Sequence, residues 1–224
     1  MVFSRQWEDI YQRGEQNSTW PWSDLVSYVM RYVRPDREPC CVLELGFGAG
    51  ANIAFFVALG THYYGTEGSA TAVERARKRF AGAPHVEVAC CDFTAAIPFA
   101  GAFDLVVDRS SLTHNTTDSI RACLARLHSL MRPGARFVGI DWFSTANGDF
   151  LTGQDAGDYY TRTAFVSGQF QNVGAVHFSD EDHLMGLLTG AGFVVERLEH
   201  KCSDVVTPRG EPRMAWWNFV ALKP

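Results

Sequence analysis

Excess positive charge, metal-type cysteine spacing and long apolar runs are all missing from this sequence, and each lack excludes something. The formal net charge is −5, whereas a nucleic-acid partner calls for a basic face; no nucleic acid is expected. No stretch reaches the roughly 18 uninterrupted apolar residues of a membrane span, and "MVFSRQWEDIYQRGEQ" lacks the basic-then-apolar order of a secretory signal. The expectation is a cytoplasmic protein with no membrane contact. The six cysteines, Cys40, Cys41, Cys90, Cys91, Cys123 and Cys202, contain no CxxC. They read as buried thiols in a reducing compartment, with no disulfide and no metal site. Internal repeats, low-complexity tracts and linkers are also missing, so residues 1–224 are expected to form a single domain.

What the chain has is alternation. Behind an aromatic N-terminal segment (1–37), short apolar runs take turns with helix-length stretches. "CCVLEL" (40–45), "HYYGTE" (62–67), "HVEVACCDF" (85–93), "FDLVVDRS" (103–110) and "ARFVGIDWF" (135–143) read as strands. "GANIAFFVALG" and "SATAVERARKRF" read as helices between them. Ile120, Leu124, Leu127 and Met131 form one apolar stripe of a further helix, which Pro133 and Gly134 are expected to end. Residues 144–176 have no clean period and read as a functional insertion on the substrate side. "FSDEDHLMGLLTGAGF" reads as a helix with Ser179 as N-cap and Asp182 three residues on. "FVVERLEHKCSDVV" and "MAWWNFVALKP", joined by "TPRGEPR", suit an antiparallel hairpin; its apolar strands suit a core or an interface alike. The alternation predicts an α/β fold: a doubly wound, mostly parallel sheet of about seven strands, an antiparallel C-terminal hairpin and helices on both faces. Ligands then sit at the carboxyl ends of the strands.

One such end is "VLELGFGAGANIAFF", with glycines at 46, 48 and 50 between a strand and a helix. Glycines there admit positive φ and let backbone approach a ligand, and the helix beyond offers unpaired N–H groups. "GFGAGA" also fits the dinucleotide pattern through Gly46, Gly48 and Ala51. The acids around it separate the cofactors. Glu44 would repel an anionic pyrophosphate and welcome a cationic amino-acid moiety. Glu67, twenty-one residues past Gly46, is placed to accept ribose hydroxyls, a contact both cofactor classes use. Asp92 and Phe93 end the third strand, where an acid can accept an adenine amino group and an aromatic can pack on the ring.

"ELGFGAG", "GTEGS", "CDF", "FDLVVDRSSLTH" and "LMRPGARFVGID" resemble, in this order and spacing, the successive motifs of class I S-adenosylmethionine-dependent methyltransferases. The resemblance is good over 40–143 and a matter of pattern over 176–224. It implies S-adenosyl-L-methionine as cofactor and S-adenosyl-L-homocysteine as product. It implies Glu44, Gly46, Phe47, Gly48 and Gly50 around the methionine part, Glu67 with Gly68 at the ribose, and Asp92 with Phe93 at the adenine. Asp108 and Arg109 are implied beside cofactor and acceptor. Gly68 stands where a larger apolar residue is usual. "DRSSLTH" is no N-P-P-Y motif, which argues against the base-amide methylating subfamily. Structural readings stand beside these: Glu44 as a helix-dipole partner, Glu67 as a solvated strand end, Asp92 as the cap of the next turn, and Asp108 as a structural acid. The charges of "ERARKRF" suit a solvated helix face.

Methyl transfer from a sulfonium is an in-line displacement that needs alignment and exclusion of water. A hydroxyl or protonated amine acceptor also needs a base, and His114, Asp141 and His177 are the candidates. Trp20 and Trp22 on the N-terminal helical segment, expected to act as a lid, would close the acceptor pocket with Trp142, Tyr159 and Tyr160. The expected reaction is methyl transfer to O or N of a small organic acceptor. The alternatives are an RNA or protein methyltransferase, a non-catalytic binder of the same cofactor, and a nicotinamide-dependent oxidoreductase, which would want an apolar residue at Glu44.

Overall fold

The computed structural model describes residues 5–224; residues 1–4 of the expected lid segment lie outside the described residues. The chain opens with two helices, α1 (Arg5–Gln12) and α2 (Ser23–Tyr32). Then follow β1 (Cys41–Leu45), α3 (Ile53–Ala58), β2 (His62–Glu67), α4 (Ala70–Arg79), β3 (Val86–Cys90) and β4 (Phe103–Arg109). After a short 3-10 turn come α5 (Thr117–Leu130) and β5 (Met131–Phe143). The 144–176 region supplies β6 (Gln154–Asp155) and β7 (Thr161–Thr163), and β8 (Val176–His177) follows at its end. The chain closes with α6 (Glu181–Gly190), β9 (Val194–Ser203) and β10 (Met214–Leu222).

The main sheet has seven strands in the order β3-β2-β1-β4-β5-β10-β9. The first five are parallel to one another, and β10 is antiparallel to both β5 and β9. Strand side chains alternate between faces, so each strand feeds two cores. Leu43, Leu45 and Phe137 face α5 and α6, whose Ile120, Leu124, Leu127, Leu184 and Leu188 cover that side. Val42, Leu105, Val107 and Val138 face the other way, onto Leu25 and Val29 of α2, Ile53 and Phe56 of α3, and Val73 of α4. Strand order reverses at β1, between β2 and β4, which opens a crevice at the carboxyl ends. That crevice positions the site.

Several local expectations change. Met131 does not end the apolar stripe of α5; it pairs with Phe103 as the first residue of β5, which runs through Pro133 and Gly134. The N-cap of α6 is Asp180, whose carboxylate accepts the His183 amide at 2.8 Å, and not Ser179; the Ser179 carbonyl instead accepts the Trp217 indole N–H at 2.8 Å. All six cysteines are free, but only Cys40 and Cys123 are buried, and Cys90 and Cys202 are exposed. The aperiodic insertion folds into a small antiparallel sheet, β6-β7-β8. Phe150, Phe165, Phe170, Val176 and Phe178 give it a core of its own. Its apolar residues are spaced for that satellite core, which is why no single period is visible. Among the described residues, no helix is long and apolar enough to cross a membrane, and no group of three or more His, Cys, Asp or Glu is placed to hold a metal ion.

Candidate active site

The turn after β1 works only with glycine. Gly46 and Gly48 have φ of +55° and +57°, a region that L side chains avoid. A Cβ at Gly46 would stand 2.3 Å from Cβ of Ser111, and one at Gly48 would stand 2.6 Å from the Tyr11 hydroxyl. Other parts of the chain thus press on the loop from both sides. Gly50, at φ +76°, donates its amide to the Phe47 carbonyl at 2.9 Å and closes the turn without lining the site.

A cavity of about 510 Å³ opens beside this loop, and Gly46, Phe47, Gly48 and Gly68 line it. Two of its acids are deeply buried. Glu44 accepts from Asn52 Nδ2 at 2.7 Å and from the Tyr63 hydroxyl at 2.6 Å; burial nevertheless pushes its pKa up to about 7. Glu67 accepts the backbone N–H of Gly48 and of Ser69, each at 2.9 Å. Burial raises its pKa while those N–H groups oppose the rise. At the end of β3, Asp92 accepts the amide of Thr94 at 2.9 Å and its hydroxyl at 2.6 Å. Phe93 lies beside it, against Gly46. Asp92 therefore shapes a turn and faces the cavity at once.

The opposite wall comes from the ends of β4 and β5, where Ser110 and Asp141 both adopt a left-handed φ of 58°. Such strain persists only where neighbours impose it. Here the Ser110 hydroxyl donates to the Asp141 carbonyl at 2.8 Å, and the Asp141 amide donates to Asn218 Oδ1 at 2.9 Å. Asp141 in turn accepts from Arg109 Nε at 2.8 Å, and the Arg109 guanidinium lies 3.5 Å from the centre of the Trp22 ring. Burial raises the Asp141 pKa, and Arg109 opposes it. His114 stands edge-on to Trp7 and Phe143, at ring distances of 4.9 and 6.0 Å. Its Nδ1 is 3.3 Å from the Ala175 carbonyl. A carbonyl only accepts, so Nδ1 carries the proton and Nε2 the lone pair. Burial pushes the His114 pKa down to about 4, which leaves the ring neutral at pH 7.

Seven sequence expectations end up off the cavity. Asp108 lies beneath it, one oxygen bonded by the Ser111 hydroxyl and, at 3.0 Å, by the Leu112 amide; burial brings its pKa to about 6. Gly50 only closes the turn. His177 is fully buried, between Thr161, Ser179 and His183, because its pairing with Thr161 turns it into the small sheet. Trp20 is 82% exposed, and Trp22 makes the contact instead. Trp142 alternates away from Asp141 and Phe143 into the main core, onto Phe137 and Phe219. Tyr160 stacks on His183, and Tyr159 is held edge-on to Tyr160 and Phe150 at the surface. Sequence reasoning missed Trp7 and Tyr11 of α1, together with Asn52, Ser111, Gln169 and Trp216, which line the cavity. Only the first pair left a signal: the i, i+4 spacing puts both rings on one helix face.

The donor set suits an adenosyl amino acid. Glu67 presents a carboxylate held by two amides, a fit for a pair of ribose hydroxyls, and the loop needs glycine for close backbone approach. Residues 42–134 match the family model described as a methyltransferase domain. No curated protein matches the sequence significantly. Among solved structures, a SAM-dependent methyltransferase from Methanosarcina mazei is 16% identical, with a TM-score of 0.69 over 91% of this chain and 98% of that one. The CcbJ methyltransferase from Streptomyces caelestis is 17% identical, with a TM-score of 0.69 over 99% of this chain and 98% of that one. Haemonchus contortus phosphoethanolamine N-methyltransferase 2, solved with phosphomonomethylethanolamine and S-adenosylhomocysteine, is 15% identical, with a TM-score of 0.66 over 98% of this chain and 57% of that one. Residues 42–134 thus carry a methyltransferase domain, and the fold of the whole chain is that of solved S-adenosylmethionine-dependent methyltransferases.

Proposed function

We propose that the enzyme methylates oxygen or nitrogen of a small organic acceptor held between the glycine loop, α1 and the small sheet. In this reading residues 1–224 act as one domain, the N-terminal helical segment 1–37 serves as the lid and the 144–176 insertion as the acceptor wall. The acidic balance of the chain favours a small molecule over a nucleic acid. When bound, S-adenosylmethionine supplies an electrophilic methyl group on a positively charged sulfur. Glu67 would hold the ribose hydroxyls, Asp92 and Phe93 the adenine, and the Gly46–Gly48 backbone with Glu44 the methionine end. Gly68 adds a small residue beside the ribose.

The observation that carries the reading is His114. It lines the cavity between two aromatic rings, and the contact of its Nδ1 with the Ala175 carbonyl leaves Nε2 as the acceptor nitrogen. A base in that state can take a proton from a hydroxyl or ammonium acceptor. Asp141 is tied to Arg109 and does not fill that role; it positions Arg109 instead. The rings of Trp7, Phe143 and Phe170 line the cavity beside His114 and would shield the reacting atoms from water.

Titration with S-adenosylhomocysteine tests the cofactor half. Glu67→Ala should weaken binding by about tenfold or more, and unchanged affinity would remove the ribose assignment. For the acceptor half, a screen with labelled methyl donor supplies a substrate. His114→Ala should then slow turnover by about 10²–10⁴-fold with S-adenosylhomocysteine affinity retained. Full activity would retire His114 as the base. In the native enzyme, turnover should fall as pH drops through about 4, where the imidazole takes up a proton.

A further inference from the structure

The described residues that line the cavity include four acids, Glu44, Glu67, Asp92 and Asp141, and a single cation fixed at neutral pH, Arg109. His114 adds no charge there. Arg109 does not stand free. Asp141 meets its Nε at 2.8 Å, and the Trp22 ring covers a face of its guanidinium at 3.5 Å. The charge is cancelled locally, while hydrogen-bond donors on the guanidinium remain for a neutral oxygen.

The same cavity is lined by a run of aromatic rings. Trp7 meets His114 edge-on at 4.9 Å, His114 meets Phe143 at 6.0 Å, and Phe143 meets Phe170 at 4.7 Å. These rings meet edge-on, so an aromatic acceptor packed against them by edge or face lies next to His114. A phosphate or carboxylate on that acceptor would find no uncompensated cation to hold it, because Asp141 already pairs with Arg109.

We propose that Asp141 is a specificity residue that excludes anions: by neutralising Arg109 it makes the acceptor end select uncharged aromatic acceptors and turn away phosphorylated or carboxylated ones. The inference rests on the methyltransferase reading of this cavity and names its acceptor class.

The experiment begins with the enzyme saturated with S-adenosylhomocysteine. Failure at that step strikes the cofactor reading and not this one. Three probes of one shape are then titrated: 2-naphthol, 2-naphthyl phosphate and 2-naphthoate. The naphthol should bind about tenfold or more tightly than either anion. Equal or tighter binding of an anion overturns the proposal, and so does silence from all three, because the aromatic wall would then hold no ring. Asp141→Asn tests the device itself. Asparagine tolerates the left-handed backbone at this position, so the fold should survive. The variant should gain about tenfold affinity for 2-naphthyl phosphate, with 2-naphthol changed less than about twofold. Adding Arg109→Gln to the same variant should abolish the gain. No gain in the single variant, or a gain that persists in the double variant, overturns the assignment.

Discussion

At Gly46 a single methyl group would have to occupy space already held by Ser111. The added Cβ would lie 2.3 Å from that side chain on a backbone with φ +55°. Ser111 cannot retreat, because its hydroxyl donates to the Leu45 carbonyl at 2.9 Å and also meets Asp108. Gly46→Ala should therefore cost about 1–3 kcal/mol of stability and weaken S-adenosylhomocysteine binding as well. Gly82 is the control, since a Cβ there meets nothing within 4 Å and its φ is not positive; Gly82→Ala should stay within about 0.5 kcal/mol of the native protein. Urea unfolding of the two variants decides between loop strain and a general penalty for losing glycine. Equal midpoints would show that the loop relaxes freely.

Among the elements, α1 is pinned to α4 by one carboxylate. Glu8 accepts from the hydroxyls of Ser69 and Thr71 and, at 3.3 Å, from the Thr71 amide, at the N-terminus of α4. A negative charge is favoured at that end of a helix. The hydroxyl bonds pull the Glu8 pKa down from 4.5 to about 2. A depressed carboxylate pKa supports docking fully above about 4.5, and the support is lost as pH falls toward 2. Because Glu8 is solvent-accessible, the free energy involved is small, and the consequence should be local. In Glu8→Ala the amides of α1 should exchange faster with solvent while those of β1 and β4 keep their protection; unchanged exchange in α1 would mean that Trp7 and Tyr11 anchor the helix unaided. In contrast, α5 is held by its buried stripe. Leu124 is fully buried against the main sheet, and Leu124→Ala should cost about 2–5 kcal/mol in an unfolding titration.

For the molecule as a whole, the buried histidine in the satellite sheet sets an acid limit. Burial pushes the His177 pKa from 6.5 down to about 3. The native state keeps the ring neutral where the unfolded chain would protonate it. Its contribution is complete above about pH 6.5 and is lost as pH falls toward 3. Thermal unfolding of the native protein should decline over that window, and His177→Gln, which removes the titrating group, should decline less steeply. Parallel curves would assign the acid sensitivity to other groups.

Much of this architecture was legible because it depends on consecutive residues. Apolar period and strand length set the order of strands and helices, and the antiparallel hairpin at 194–222 followed from two apolar runs and a short joint. Glycines in "GFGAG" and the acids at strand ends reported a cavity at the carboxyl edge, since backbone sterics and the parallel sheet leave few other places for them. The helix start at Asp180 and the early start of β5 at Met131 went the other way, because one capping carboxylate and one cross-strand pair outweighed the local pattern. Side-chain direction was harder still. Trp142 and Phe143 are neighbours in sequence, yet alternation sends one into the core and the other to the cavity. His177 and His114 look alike as histidines after apolar segments; only the pairing of β7 with β8 turns the first inward. The sequence by itself determined the fold and the edge of the sheet where the cavity lies, through local periodicity and backbone sterics. The tertiary structure alone decided that Trp7 and Tyr11 close over the loop, that Ser111 presses on Gly46, and that Trp22, Arg109 and Asp141 meet, because each contact joins residues distant in the chain whose approach depends on how whole elements pack.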